Sequence, residues 1–264
     1  MSFVLDNIII DRIQRGLATD FNDKPLYTLH QLKDASIKIT TDSTDATDKV
    51  GTLVKRFYRG KRGELQATNA MLSLNIMAAA SGNDREMATK DHMLTMCKFV
   101  DIKGTEKTFK LEGIDPDTLD SVALCGVANN GSMTNVYKRG ATASATEFAI
   151  TEDGVLTLPT PASPEDQYLV NYHRKVSAGG QLVNSATKYP KTCRLYLEAL
   201  AVDPCSPESL RSIYIYIPSF QVSPDIDINL TTDATLDYTG ALQVDYCSAE
   251  KALYYTQWAD DDVE

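Results

Sequence analysis

Asp34-Ala35-Ser36-Ile37-Lys38-Ile39-Thr40 alternates apolar and polar residues with a period of two. Ala35, Ile37 and Ile39 fall on one face; Ser36, Lys38 and Thr40 fall on the other. This is the pattern of a half-buried β-strand. Downstream, Thr40–Asp48 reads as a polar loop carrying Asp42, Asp45 and Asp48. Leu53–Tyr58 and Glu64–Thr68 then read as the two strands of a hairpin. Arg59-Gly60-Lys61-Arg62-Gly63 is its expected turn, because glycine tolerates the backbone angles of a tight turn.

Asp225-Ile226-Asp227-Ile228-Asn229-Leu230-Thr231 repeats the alternation. A closed barrel of such strands would have an apolar outer face and an acidic, hydrophilic bore that repels DNA phosphate. Ser36, Lys38, Asp225, Asp227 and Asn229 are the candidate lumen-facing residues. A plain half-exposed strand of a sandwich explains the same pattern. The clearest helix is Asn69–Ser81, with Thr68 or Asn69 as its cap and Gly82 with Asn83 as its end. Met71, Leu72, Leu74, Ile76 and Met77 are its expected packing residues, apolar over much of the circumference.

After the helix, short strands recur near 95–102, 107–112, 121–127, 135–138, 148–158, 167–176, 181–184, 191–202, 212–218, 240–247 and 252–258. Turns such as Asp115-Pro116-Asp117, Ala178-Gly179-Gly180 and Asp203-Pro204 separate them. The fold class expected is mainly β: two packed antiparallel sheets, sandwich-like or barrel-like, with one flanking helix. The expected organisation is an arm over 1–25, a β domain over 26–258 and an acidic tail over 259–264.

The chain has 264 residues and a net charge of −10. A globally acidic surface is a poor match for wrapping nucleic acid. The charge is also uneven, at +3 over residues 1–110 and −13 over residues 111–264. Such asymmetry suits head-to-tail self-association, and it is also what a solvated acidic surface looks like. No apolar stretch reaches the roughly 18 residues of a membrane-spanning helix. No secretion leader precedes Ile8-Ile9-Ile10, which predicts a cytoplasmic site of assembly. The five cysteines, Cys97, Cys125, Cys193, Cys205 and Cys247, lack close pairing and are expected to be reduced core residues.

The search for chemistry finds no catalytic constellation. His30, His92 and His173 are far apart and stand beside no obvious nucleophile. Gly126-Val127-Ala128-Asn129-Asn130-Gly131-Ser132 has the glycine spacing of a phosphate loop but lacks its lysine. Asp42, Asp45 and Asp48 lack the spacing of a calcium loop. No enzymatic activity, metal or cofactor is expected. Lys55, Arg56, Arg59, Lys61 and Arg62 place five cations in eight positions around Phe57 and Tyr58. That cluster reads three ways: a phosphate contact with stacking aromatics, a solvated hairpin tip, or a contact with acidic residues of a neighbouring subunit.

Taken together, the chain resembles a tailed-bacteriophage major tail protein, the tail tube family. The likeness rests on Asp34–Thr40 followed by Gly51–Tyr58, on Glu64–Leu72, and on Lys188–Leu195 with Pro218–Gln221, Leu230–Gly240 and Val244–Tyr246. The resemblance implies a structural virion protein of two β-sheets and a flanking helix. It implies hexameric rings, stacked head-to-tail into a tube through which double-stranded DNA is ejected. Strands near 34–40, 53–58, 64–68, 225–231 and 240–247 would line the barrel. The 1–25 arm, Lys55, Arg56, Arg59, Lys61 and Arg62, and the acidic tail would make inter-ring or inter-subunit contacts. Residues of about 105–165 would form an outward insertion. Sheath, tape-measure and tail terminator proteins are the implied partners, and the virion, assembled in the host cytoplasm, is the implied location. Two other readings are a capsid decoration or head–tail connector protein, and a carbohydrate-binding β-sandwich presenting Tyr214, Tyr216, Tyr254 and Tyr255.

Overall fold

The computed structural model describes residues 8–30, 32–69, 73–204, 206–228 and 235–263. The chain divides into two compact units. The first comprises residues 1–85 and 182–264, and the second, residues 86–181, is inserted within it. The insertion is wider than the segment of about 105–165 read from the sequence.

The first unit contains β1 (Ile9–Thr19), β2 (Pro25–His30), β3 (Leu32–Thr47), β4 (Leu53–Asn69) and α1 (Leu74–Ser81). The second supplies β5 (Glu86–Ala88), β6 (Leu94–Lys103), β7 (Thr108–Lys110), a 3-10 turn over Pro116–Ser121, β8 (Ala123–Val127) and β9 (Met133–Arg139). It continues through β10 (Glu147–Ile150), β11 (Val155–Thr157), β12 (Gln167–Val176) and β13 (Gly179–Gln181). The chain then returns to the first unit with β14 (Cys193–Asp203), β15 (Ser206–Val222), β16 (Leu236–Leu242) and β17 (Tyr255–Val263).

In the first unit the strand order is β2-β1-β14-β15-β16-β4-β3, with β17 added to β15. All its pairings are antiparallel, and the sheet curls into a nearly closed, barrel-like form. Alternation explains the core. Leu65, Leu195, Leu197, Ile217, Phe220 and Tyr238 turn inward and are buried, each contributing about 1.5–3 kcal/mol through the apolar area it removes from water. The helix closes onto this core through Ile76 and Ala80, with Met77 packed beside them.

The helix is shorter than the sequence suggests. Asn69 ends β4, where it pairs with both Leu32 and Leu236, so the helix cannot start there. Ser73 is the cap instead, its Oγ accepting the Ile76 N–H, and Gly82 ends the helix at a φ of 69°. Leu74, expected on the packing face, is half exposed. Met71 and Leu72 lie outside the described residues.

The second unit carries a seven-stranded sheet in the order β6-β12-β8-β9-β10-β11-β7, with a parallel step between β9 and β10. Its core is built from Leu111, Leu124, Phe148, Leu156, Val170 and Tyr172. Its first and last strands, β5 and β13, pair with each other: Ala88 opposes Gly179 and Glu86 opposes Gln181.

Two further expectations are corrected here. Residues 225–228 form no strand: Ser223-Pro224 interrupts β15, since proline has no N–H for a ladder, and the Ser223 Oγ accepts the Asp225 N–H. Ile226 still packs on the core, while Asp225 and Asp227 are exposed. Asn229 lies outside the described residues. Of the cysteines, Cys193 alone is buried among those described; Cys97 and Cys247 are exposed and Cys125 is intermediate. Cys97 and Cys125 sit on strands, at positions that face away from the core. Cys205 lies outside the described residues.

Candidate self-assembly surfaces

The largest departure from the sequence reading is at the basic cluster. Lys55, Arg56, Arg59, Lys61 and Arg62 do not surround a turn; they lie along the single strand β4. Of the expected polar loop Thr40–Asp48, residues 40–47 belong instead to β3, which pairs with β4 from Leu32↔Asn69 out to Thr47↔Leu53. The turn is Asp48–Thr52, where one Asp48 carboxylate oxygen accepts the N–H groups of Val50 and Thr52. Those bonds to the ionised form hold the Asp48 carboxyl below the usual carboxylate range.

The pairing sets acid against base. Asp45 faces Arg56 in register and receives a two-pronged bond, Nε to Oδ1 at 2.7 Å and NH2 to Oδ2 at 2.9 Å. This pair holds the Asp45 carboxyl low and raises the guanidinium further. Arg62 reaches Asp42 at 3.2 Å, and the Lys55 ammonium lies 5.1 Å from the centre of the Phe57 ring. Intramolecular ion pairs thus engage two of the five cations, Arg56 and Arg62.

Every residue from Lys38 to Arg62 is exposed. The outer half of the β3–β4 hairpin is therefore a ribbon covered on neither face. It still carries Val54 at 69% exposure, Tyr58 at 70% and Phe57 at 46%. A lone two-stranded ribbon is marginal in water, and apolar residues on both of its faces mark an unfilled contact.

Nearer the body, β3, β4 and β16 present a hydrophilic face. Ser36 opposes Gln66 and Lys38 opposes Glu64; on the other side of β4, Thr239 opposes Gln66 and Asp237 opposes Thr68. The face mixes the cations Lys33, Lys38 and Arg62 with acids, amides and hydroxyls, unlike the acidic bore read from residues 225–231. A groove of about 670 Å³ runs along it, floored by Lys38, Glu64 and Thr239 and bordered by Pro190, Gln221 and Ser223. Gln243 donates to Gln221, which donates to the Pro190 carbonyl, fixing that border.

The outward face of β1, β14, β15 and β17 carries a tyrosine ladder. Tyr196 and Tyr216 stack with ring centres 4.8 Å apart, and Tyr216 and Tyr255 stack at 5.8 Å. Both faces of Tyr216 are therefore taken by neighbouring rings. A sugar platform needs an open ring face. One rung along, Arg15 binds the buried Glu198, which also accepts from the Ser212 hydroxyl at 3.0 Å. Tyr254 lies apart from this ladder, lining an apolar groove with Ile213 and Ile215.

The remaining polar candidates have local partners. His92 meets Glu86 at 2.7 Å, and the Ser121 hydroxyl meets the His173 Nδ1 at 2.9 Å. His30 sits exposed at the end of β2. The glycine-spaced segment at 126–132 is the β8–β9 turn, closed by the Gly131 N–H donating to the Ala128 carbonyl. Among the described residues, no three His, Cys, Asp or Glu side chains gather as a group able to hold a metal ion. No described helix is long and apolar enough to cross a membrane.

The sequence missed the length of the β3–β4 ribbon and the tyrosine ladder. The alternation of Tyr214 and Tyr216 hinted at the ladder, but the partners Tyr196 and Tyr255 come from other strands. No curated protein sequence matches the chain. A family profile matches residues 8–256, nearly its whole length. The chain belongs to the YomU/Tube protein family, a family of phage tail tube proteins.

Proposed function

We propose that this chain is the repeating subunit of a phage tail tube, assembling as hexameric rings that stack head-to-tail into a conduit for DNA ejection. The exposed ribbon of β3 and β4 carries this reading. It places apolar residues and two open strand edges in water, and contact with further copies of the chain would cover both. The ribbon, with Lys55, Arg59 and Lys61 along it, then contacts a neighbouring subunit or ring. The hydrophilic face holding Ser36, Lys38, Glu64 and Gln66 lines the lumen, where polar side chains of mixed charge give passing phosphate no continuous cationic surface to grip. No catalytic step is required of any residue. Sheath, tape-measure and terminator proteins complete the tail around and at the ends of the tube. The stacked ladder of Tyr196, Tyr216 and Tyr255 counts against a glycan-binding role.

The test is negative-stain electron microscopy of the purified chain at rising concentration, with sedimentation velocity alongside. Hollow tubes or stacked rings with a central channel are expected. Small uniform particles at every concentration would favour a capsid decoration or connector role instead.

A further inference from the structure

We infer that the open edge of β17 is the receptor for the β3–β4 ribbon of a second copy. The inference rests on the tube-subunit reading above and identifies the two surfaces that meet.

Among the described residues, the strand edges left open in the first unit include those of β17 and of the outer half of β4. Among the described residues, β17 bonds to β15 alone. On β15, residues 211–216 are taken by β17 and residues 220–222 by β16, so β17 follows β16 along the same side of β15. On its other side, β16 covers β4 only from Gly63 to Asn69. The outer half of β4, residues 53–62, therefore bonds to β3 alone. β17 and the outer half of β4 each present one unpaired row of N–H and C=O groups. Both are described within the same chain, and they do not pair with each other there. Unpaired edges of this kind are the standard template for adding a strand from another chain.

The two edges are complementary in charge and in apolar surface. β17 ends in Asp260-Asp261-Asp262, whereas the outer half of β4 carries Lys55, Arg59 and Lys61 beyond the two arginines already paired. Beside β17 opens an apolar groove of about 300 Å³ lined by Ile10, Ile13, Ile37, Ile213, Ile215 and Thr256. Ile10 is 58% exposed, and Trp258 on β17 is 47% exposed. The ribbon brings Val54, Phe57 and Tyr58, which are exposed in the isolated chain. Strand addition would supply the missing ladder bonds, bring a strand of basic sequence beside one of acidic sequence and move exposed apolar side chains such as Val54, Phe57 and Trp258 out of water.

The geometry of this contact bears on assembly. The two edges are different surfaces of one chain, so the contact is head-to-tail and leaves one of each open on every added copy. Such a contact propagates until it closes into a ring or extends as a filament.

The test uses two full-length variants, K55E/R59E/K61E and D260K/D261K/D262K, with thermal unfolding of each as a folding control. Each variant alone is expected to need at least a tenfold higher concentration than the wild type to assemble. An equimolar mixture of the two is expected to assemble, because each reversed edge then finds its complement on the other variant. Assembly of D260K/D261K/D262K at wild-type concentrations, or failure of the mixture when both variants fold, would overturn the pairing. If either variant fails to fold, oxidation of an assembled R59C/Q257C chain in which Cys97 and Cys247 are replaced by serine decides in its place. A cross-linked product joining two chains is expected, and its absence overturns the pairing. Tubes from the wild type alongside a negative result would leave the tube reading standing without this contact. A wild type that never assembles would remove both.

Discussion

The hydroxyls of Tyr27 and Tyr238 meet at 2.8 Å inside the core of the first unit, with their rings edge-on at a centre distance of 6.1 Å. The two residues come from β2 and β16, and the Cys193 thiol lies beside Tyr27 at 4.0 Å. Both tyrosines are buried, and the short bond between their hydroxyls is supplemented at Tyr27 by the longer contact with the Cys193 thiol. Tyr238→Phe removes one partner and leaves the Tyr27 hydroxyl without that bond. The expected cost is about 1–3 kcal/mol, read as a fall in Tm of roughly 2–10 °C. Thermal unfolding by circular dichroism checks it; an unchanged Tm would mean that water or Cys193 replaces the lost partner.

The same cluster predicts a loss of stability in alkali. Burial pushes the Cys193 thiol up to about 11 and pushes both tyrosine hydroxyls above their ordinary range. All three are neutral in the fold and ionise more readily in the unfolded chain. Their contribution is fully present below the ordinary thiol value of about 8.5 and is lost as pH rises towards the folded values. Urea midpoints measured from pH 7 to 11 should fall above about pH 8.5. Cys193→Ala should flatten the first part of that fall, and an identical pH profile in the variant would reject the assignment.

The bond between Arg56 and Asp45 ties together the outer ribbon of β3 and β4, whose residues are all exposed. Asp45→Lys replaces attraction with repulsion across the ribbon. Amide exchange over residues 42–58 should quicken several-fold, while the Tm of the protein stays near the wild-type value. A cooperative loss of stability throughout the chain would show that the ribbon is coupled to the core more tightly than its exposure indicates.

Position 36 tests the lumen. In a chain with Cys97 and Cys247 replaced by serine, Ser36→Cys should react with a bulky maleimide at least tenfold more slowly in assembled tubes than in monomers. Equal rates in the two states would put Ser36 on the outer surface.

The sequence was most readable where one strand carried its own pattern. The alternation of Ala35, Ile37 and Ile39 against Ser36, Lys38 and Thr40 is seen in the structure as β3, although Ile39 is more exposed than that pattern implies. Its glycines were harder to read. Gly60 does adopt a left-handed backbone, at a φ of 60°, but within β4. It is the extra residue where Thr41 opposes Lys61 and Asp42 opposes Arg59, which makes it a bulge and not a turn. Gly63 has a packing reason instead, since a Cβ there would sit 2.8 Å from the Leu242 Cβ. The true turn at Asp48–Thr52 was hidden because its signal is one aspartate bonding two backbone amides. Residues 225–228 failed differently: their period of two forms no ladder after Ser223-Pro224 has ended the strand. The tyrosine ladder and the division at residues 86 and 181 depend on pairings between distant segments, which no local pattern encodes.

The pairing of β5 with β13 has a consequence for how this protein can change over time. Partners in an antiparallel pair stand only about 5 Å apart, so the chain leaves the first unit and returns to it through one narrow doorway. Whatever lies between residues 88 and 179 has to satisfy just one geometric condition, neighbouring ends. A gene segment encoding a different module with matched termini could be exchanged there without recoding the strands on either side. The same doorway is a natural point at which to splice in a foreign domain for display.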